Sequence, residues 1–260
     1  MRIFWVLWVF SLCSSAMADW NEVREEDGAV VVTRPGKVPD GRATGQSPSG
    51  AVRTPRSAEG GISGEIQSAQ SVSSMAEKGD ATAQYALGRQ YEQGDGVGQD
   101  YGSAAIWYYM AAQQGLAEAE AQLGLLYRAG RGVPQSDREA AVWLRKAAEQ
   151  GVARAQSHLG FLYRAGRGVV QDDKSAANWL RRAAEQGDAN AQHNLGALYA
   201  NGQGVPQEDI TAHQWLNLAA ANGNPVAADD LVLLEKRMTS SEIESAQGLA
   251  REWMEKHAGK

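Results

Sequence analysis

Small apolar residues recur along the chain in a helical rhythm that glycine breaks at regular intervals. Ala83, Leu87, Gly88 and Tyr91 fall on one face of residues 81–93, at the i, i+4, i+5, i+8 spacing of an amphipathic helix. Gly94 and Gly96 interrupt that run, and a second series, Ala104, Trp107 and Ala111, is closed by Gly115. Glycine at these places supplies the left-handed backbone that stops a helix. Asp100, like Ser136 and Asp172 further on, stands where an N-cap side chain would open the second helix. The pattern predicts a helix A, a short turn, a helix B and a second short turn.

The whole unit recurs. Leu87-Gly88, Leu123-Gly124, Leu159-Gly160 and Leu195-Gly196 stand 36 residues apart, as do Tyr91, Tyr127, Tyr163 and Tyr199, and Trp107, Trp143, Trp179 and Trp215. The same offset links the Gly-x-Gly-Val turns ending at Val97, Val133, Val169 and Val205. A fixed period of this size marks a solenoid, in which each unit buries its apolar face against its neighbours. If each tryptophan buries roughly 150–250 Å², it contributes about 4–6 kcal/mol gross. The glycine inside helix A costs about 0.5–1 kcal/mol, so its recurrence predicts a crossing of helix A on helix B too close for any side chain.

Four units follow, at 81–116, 117–152, 153–188 and 189–224. Residues 67–80 form an N-terminal capping half-repeat, because Met75 to Asp80 lines up with Ala147 to Val152, 72 positions later. After Gly223 the pattern decays across 225–257: Pro225 to Arg237 is a worn helix A, and Thr239-Ser-Ser-Glu242 is a capping box opening a last helix to Lys256. That helix places Ile243, Ala246, Leu249, Ala250 and Trp253 on one face. The fold class is all-α, a solenoid of helix-turn-helix repeats with capping helices.

The N-terminal quarter differs in kind. Residues 1–18 read as a signal peptide, with Arg2, an apolar run from Ile3 to Cys13 and Ala16-Met17-Ala18 as the cleavage site. An uncleaved anchor is the alternative, but the run is too short to span a bilayer. Cys13 is the single cysteine, so the exported chain has no disulfide, thiolate metal site or cysteine nucleophile. Residues 19–66 form a flexible arm: acidic Glu22, Glu25, Glu26 and Asp27, a strand-prone Gly28 to Thr33, then a linker rich in Gly, Pro, Ser and Thr. A net charge of −6 excludes the basic excess of a nucleic-acid binder.

The string L-G-x-x-Y-x-x-G-x-G-V-x-Q-D…W-x-x-x-A-A-x-x-G-x-x-x-A, as it stands from Leu159 to Ala191, resembles Sel1-like repeats, relatives of tetratricopeptide repeats. The resemblance covers Ala81 to Ala227, and the terminal helix is similar to that of exported bacterial members. It implies a right-handed α/α superhelix that scaffolds protein complexes. One disulfide-rich branch is linked with β-lactam binding and hydrolysis, and this chain departs from it in lacking every bridging cysteine.

Positions that differ between units are the candidates for recognition. Arg128 and Arg164 follow the tyrosine of helix A, and Arg131 and Arg167 sit between the turn glycines; outside the middle units these places hold Glu92 and Ala200, and Asp95 and Gln203. If helix A lines the concave side, the four arginines form a positive patch suited to carboxylate or phosphate. The alternative is solvated charge, or pairing with Asp137, Glu139, Asp172 or Asp173 across the seam between units. Tyr85 and Phe161 occupy variable helix A positions, as interface anchors or as core. His158, His193, His213 and His257 do not cluster, and no metal, cofactor, nucleotide motif or catalytic constellation is expected. The expected function is a non-catalytic scaffold of the cell envelope, exported to the periplasm, that binds a protein or peptide, acidic in character, on the concave face. A cell-wall-related or β-lactam-binding enzyme and a secreted host-interaction factor are the alternatives.

Overall fold

The computed structural model describes residues 71–258. The segments read as an export signal and an arm, and the first residues of the capping half-repeat, lie outside them. A helical segment at 71–77 precedes four helix pairs: α1 (Ala81–Gln93) with α2 (Tyr101–Gln113), α3 (Ala117–Ala129) with α4 (Asp137–Glu149), α5 (Ala153–Ala165) with α6 (Asp173–Glu185), and α7 (Ala189–Asn201) with α8 (Asp209–Ala221). Then come α9 (Ala227–Glu235) and α10 (Ser240–His257). From α1 to α9 each helix packs on the next, and α10 folds back onto α8. The fold is an all-α, right-handed superhelical solenoid.

The helix ends form as the residues dictate. Asp100, Ser136 and Asp172 accept backbone N–H bonds at the starts of α2, α4 and α6, and Thr239 with Glu242 makes the capping box of α10. Helix α9 is shorter than the span from Pro225 to Arg237. Asn224 Oδ1 accepts from the amides of Val226 and Ala227, both at 3.1 Å, and so holds the preceding turn outside the helix. On α10, Ala246 and Ala250 are buried, whereas Leu249 is exposed rather than packed.

The core differs from the sequence expectation in one respect. Trp143 and Trp215 are buried, but Trp107 and Trp179 are only half-buried. The fully buried side chain is the next one along helix B: Tyr108, Leu144, Leu180 and Leu216. These are the side chains that meet the helix A glycines. A Cβ on Gly124, Gly160 or Gly196 would stand 2.8, 2.7 or 2.8 Å from Cγ of Leu144, Leu180 or Leu216, well inside contact distance. The close crossing expected of Gly88 and its equivalents is therefore real.

Two ladders run along the stack. In the first, side-chain bonds tie the two helices within each unit and bonds to backbone carbonyls reach the preceding unit, while the second joins unit to unit. Buried side chains at Gln84, Glu120, Gln156 and Gln192 accept amide bonds from Gln114, Gln150, Gln186 and Asn222 at 2.8, 2.7, 2.8 and 2.8 Å. The three glutamines also donate to the carbonyls of Ala76, Ala148 and Ala184. Ionised Glu120 has no proton to give its equivalent, Ala112. Burial, the largest influence, holds the Glu120 carboxyl above its ordinary range, while Gln150 and Lys146 pull it down. A carboxyl whose pKa is raised by folding loses stability as pH climbs from its unfolded value through its folded one. Glu120→Gln is expected to add about 1 kcal/mol at neutral pH and to flatten that part of the stability–pH curve, measured by urea unfolding between pH 4 and 8.

The second ladder joins the first residue of helix B to the turn of the following unit. Arg131 lies over the Tyr101 ring, 5.4 Å from its centroid, and Arg167 binds Asp137 through two bonds of 2.8 and 3.2 Å. At the next seam the arginine is replaced by Gln203, and Asp173 Oδ1 is buried without a hydrogen-bond partner. Gln203→Arg is expected to complete this rung and raise stability by about 0.5–1 kcal/mol. In an Asp173→Asn background the gain should vanish, as compared by thermal unfolding.

Candidate partner-binding face

The A helices lie side by side, tied through side chains, at equivalent positions in the first two of three ties. Arg128 Nη1 on α3 is 2.9 Å from His158 Nδ1 on α5, and Arg164 Nη1 on α5 donates to Asn194 Oδ1 on α7 at 2.9 Å. His193 Nε2 on α7 meets Asp230 Oδ2 on α9 at 2.7 Å. Helices α5 and α7 also touch directly. These helices thus make one continuous layer, while the B helices form the other.

Along the A layer runs an apolar stripe in strict register. Leu125, Phe161, Ala197 and Leu233 stand 36 residues apart; Phe161 is 37% exposed and Leu233 60%. Arg89, exposed, holds the same position on α1. The stripe was invisible as such in the sequence, since each member alone fits a core residue, and only the exposure of Phe161 and Leu233 separates it from packing.

The predicted site residues divide. Arg128 and Arg164 lie on the A layer, half-buried. Arg131 and Arg167 belong to the seam ladder at the turns, so the four do not form one free patch. Of the two aromatics, Phe161 is on the open face, whereas Tyr85 turns inward against Tyr108, ring centroids 5.6 Å apart, and joins the core. Sequence reasoning passed over Arg154, exposed on α5 at a place filled by Thr82, Glu118 and Asn190 in the other units. That variation was the available signal.

Arg128 and Arg154 shape the potential of the layer. Burial, aided by these two guanidinium groups, pushes His158 down to about 4. At neutral pH the ring is therefore uncharged, with Nδ1 free to accept from Arg128. Burial and the neighbouring Arg167 also lower Arg128, opposed by Asp137. The remaining histidines are held apart: His193 on Asp230, His213 on Glu235, and His257 stacked on Trp253. Among the described residues no group of three or more His, Cys, Asp or Glu side chains converges on a metal site, and no helix is long and apolar enough to cross a membrane.

Residues 81–116, 117–152, 153–188 and 189–224 each match the Sel1 repeat. The chain belongs to the Sel1 repeat family. Sel1 repeats generally mediate protein–protein interaction. Two of the crystal structures that resemble this Sel1 repeat protein illustrate the likeness. A Sel1 repeat protein from Oxalobacter formigenes is 37% identical, with a TM-score of 0.59, over 65% of this chain and 50% of that one. The other is c5321, a protective antigen of uropathogenic Escherichia coli strains that displays an SLR fold. It is 30% identical, with a TM-score of 0.53, over 74% of this chain and 49% of its own. The chain thus matches about half the length of each. No curated protein matches it.

Proposed function

We propose that this Sel1 repeat protein is a non-catalytic scaffold of the bacterial cell envelope, exported by the segment at 1–18, that binds a protein or peptide on the layer of A helices. The observation that carries this is the in-register stripe of Leu125, Phe161, Ala197 and Leu233, in which Phe161 and Leu233 are exposed and Leu125 and Ala197 half-buried, flanked by Arg128, Arg154 and Arg164. Aromatic and aliphatic anchors beside guanidinium groups are what interface centres are made of. Each histidine is engaged by a different partner, so the four do not converge on one site.

The test is capture from envelope extract by residues 19–260, beside a Phe161→Asp, Leu233→Asp variant shown by circular dichroism to be folded. A partner held by the first and lost by the second is the expected result. The same proteins on both would remove the stripe from recognition. Sustained nitrocefin hydrolysis by the purified protein would replace the scaffold with the enzyme alternative, and recovery from culture supernatant instead of the periplasmic fraction would favour a secreted factor.

A further inference from the structure

The charge of the A layer changes sign from one seam to the next at equivalent positions. Between the first and second units these positions carry Glu92, Glu118 and Gln122; between the second and third they carry Arg128, Arg154 and His158; between the third and fourth, Arg164, Asn190 and Asn194. The central seam is thus the one place on this layer where two arginines and a neutral imidazole meet. Arg128 forms no ion pair among the described residues, its recorded bond being to His158 Nδ1. Asp137, the carboxylate whose charge reaches Arg128, is already held by both bonds from Arg167. Arg154 is exposed and, among the described residues, makes no ion pair. Positive charge on this seam is left uncompensated in a chain whose net charge is −6. Leu125 and Phe161, the apolar members of the same two helices, border it.

We propose that this seam is a carboxylate site for an acidic segment of the partner: Arg128 and Arg154 take an Asp or Glu side chain, and an apolar residue near it in the same segment rests on Leu125 and Phe161. This deepens the scaffold function proposed above and rests on it. His158 is a positioning residue. By accepting from one Arg128 N–H it fixes a fork that would otherwise swing freely, and leaves the other donors of the guanidinium for the ligand. An arginine bound to carboxylate through parallel N–H bonds is directional as well as strong, so the seam sets the register of the bound segment and not merely its charge. The first seam, where Glu92 and Glu118 stand and Arg89 takes the place of Leu125, offers a segment displaced by one unit toward the N-terminus neither the arginine pair nor the apolar rest.

A displayed library of random 12-residue peptides, selected on residues 19–260, provides the probe. The expected outcome is enrichment of peptides with Asp or Glu near an apolar residue. A selected peptide made with Gln in place of its acid should bind about ten- to a hundredfold more weakly. Arg128→Gln and Arg154→Gln should erase that discrimination while sparing the Gln peptide. His158→Ala should weaken the acidic peptide alone and His158→Gln should restore it. The acidic peptide should also raise the His158 pKa from about 4, followed by NMR, because an added negative charge offsets the two arginines. Selected peptides that need Phe161 but show no acidic preference, or that are indifferent to Arg128 and Arg154, would overturn the carboxylate site and leave the face intact. Peptides indifferent to Phe161→Asp as well would overturn the face and the site together.

Discussion

Gly168→Ala is expected to destabilise the solenoid by about 2–5 kcal/mol, whereas Gly96→Ala, the same change in the first unit, should cost only about 1–2 kcal/mol. Both glycines are left-handed, with φ of 69° and 71°, so both variants incur the same backbone strain. They differ in what a Cβ would meet. At Gly96 nothing lies within 4 Å, while at Gly168 the new atom would collide with the carbonyl of Asp137 and stand 2.6 Å from the Arg138 amide nitrogen. These are backbone atoms in the first turn of α4, and no rotamer change can move them aside. The seam between the second and third units must open instead. Stability in such arrays is carried by interfaces between neighbours, so urea unfolding of Gly168→Ala should also show a lower m-value or a divided transition. Equal losses in the two variants would mean that the turn, and not the seam, requires the second glycine.

Leu180→Ala should cost about 3–5 kcal/mol, the range for emptying a buried leucine site that cannot collapse. Leu180 is fully buried between α5 and α6 and reaches the space over Gly160. Gly160→Ala alone sets two effects against each other: overpacking of about 1–3 kcal/mol against Leu180, and a helix-propensity gain of about 1 kcal/mol. Combined with Leu180→Ala, the added methyl fills part of the vacated volume. The double variant is therefore expected to be more stable than the sum of the single changes predicts, by about 1 kcal/mol or more. Strict additivity in a double-mutant cycle would show that the A–B crossing is not the contact that excludes a side chain at Gly160.

These two glycines show how far the residues alone can be read. Recurrence of Gly160 and its equivalents inside a helix predicts a tight crossing, because glycine there is otherwise a cost, and the crossing is present. The second turn glycine is different, since a left-handed turn explains it fully and its contact with the preceding unit becomes visible only in three dimensions. Tryptophan misled in the same way. Its size marks it as the anchor of each unit, yet Trp107 and Trp179 are half-buried while the smaller residue beside each closes the core. For the candidate site, variable positions on helix A drew attention to Arg128 and Arg164, which lie half-buried on the A layer. Arg131 and Arg167 vary as much, and sequence cannot show that each is held by the first residue of the preceding helix B. Arg154 varies between units as Arg128 does, but it stands in the first turn of its helix, away from the tyrosine, and its place beside His158 becomes visible only in three dimensions.

The proposed binding function puts recognition on the A layer and leaves the B layer as outer surface. A photo-reactive phenylalanine analogue placed at position 161 or at position 142 tests this directly, because Phe161 and Val142 are nearly equally exposed, at 37% and 42%, on the two opposite kinds of helix. Irradiation of cells producing either variant should yield a discrete cross-linked protein adduct from position 161 and none from position 142. An adduct confined to position 142 would place the partner on the B helices and contradict the account.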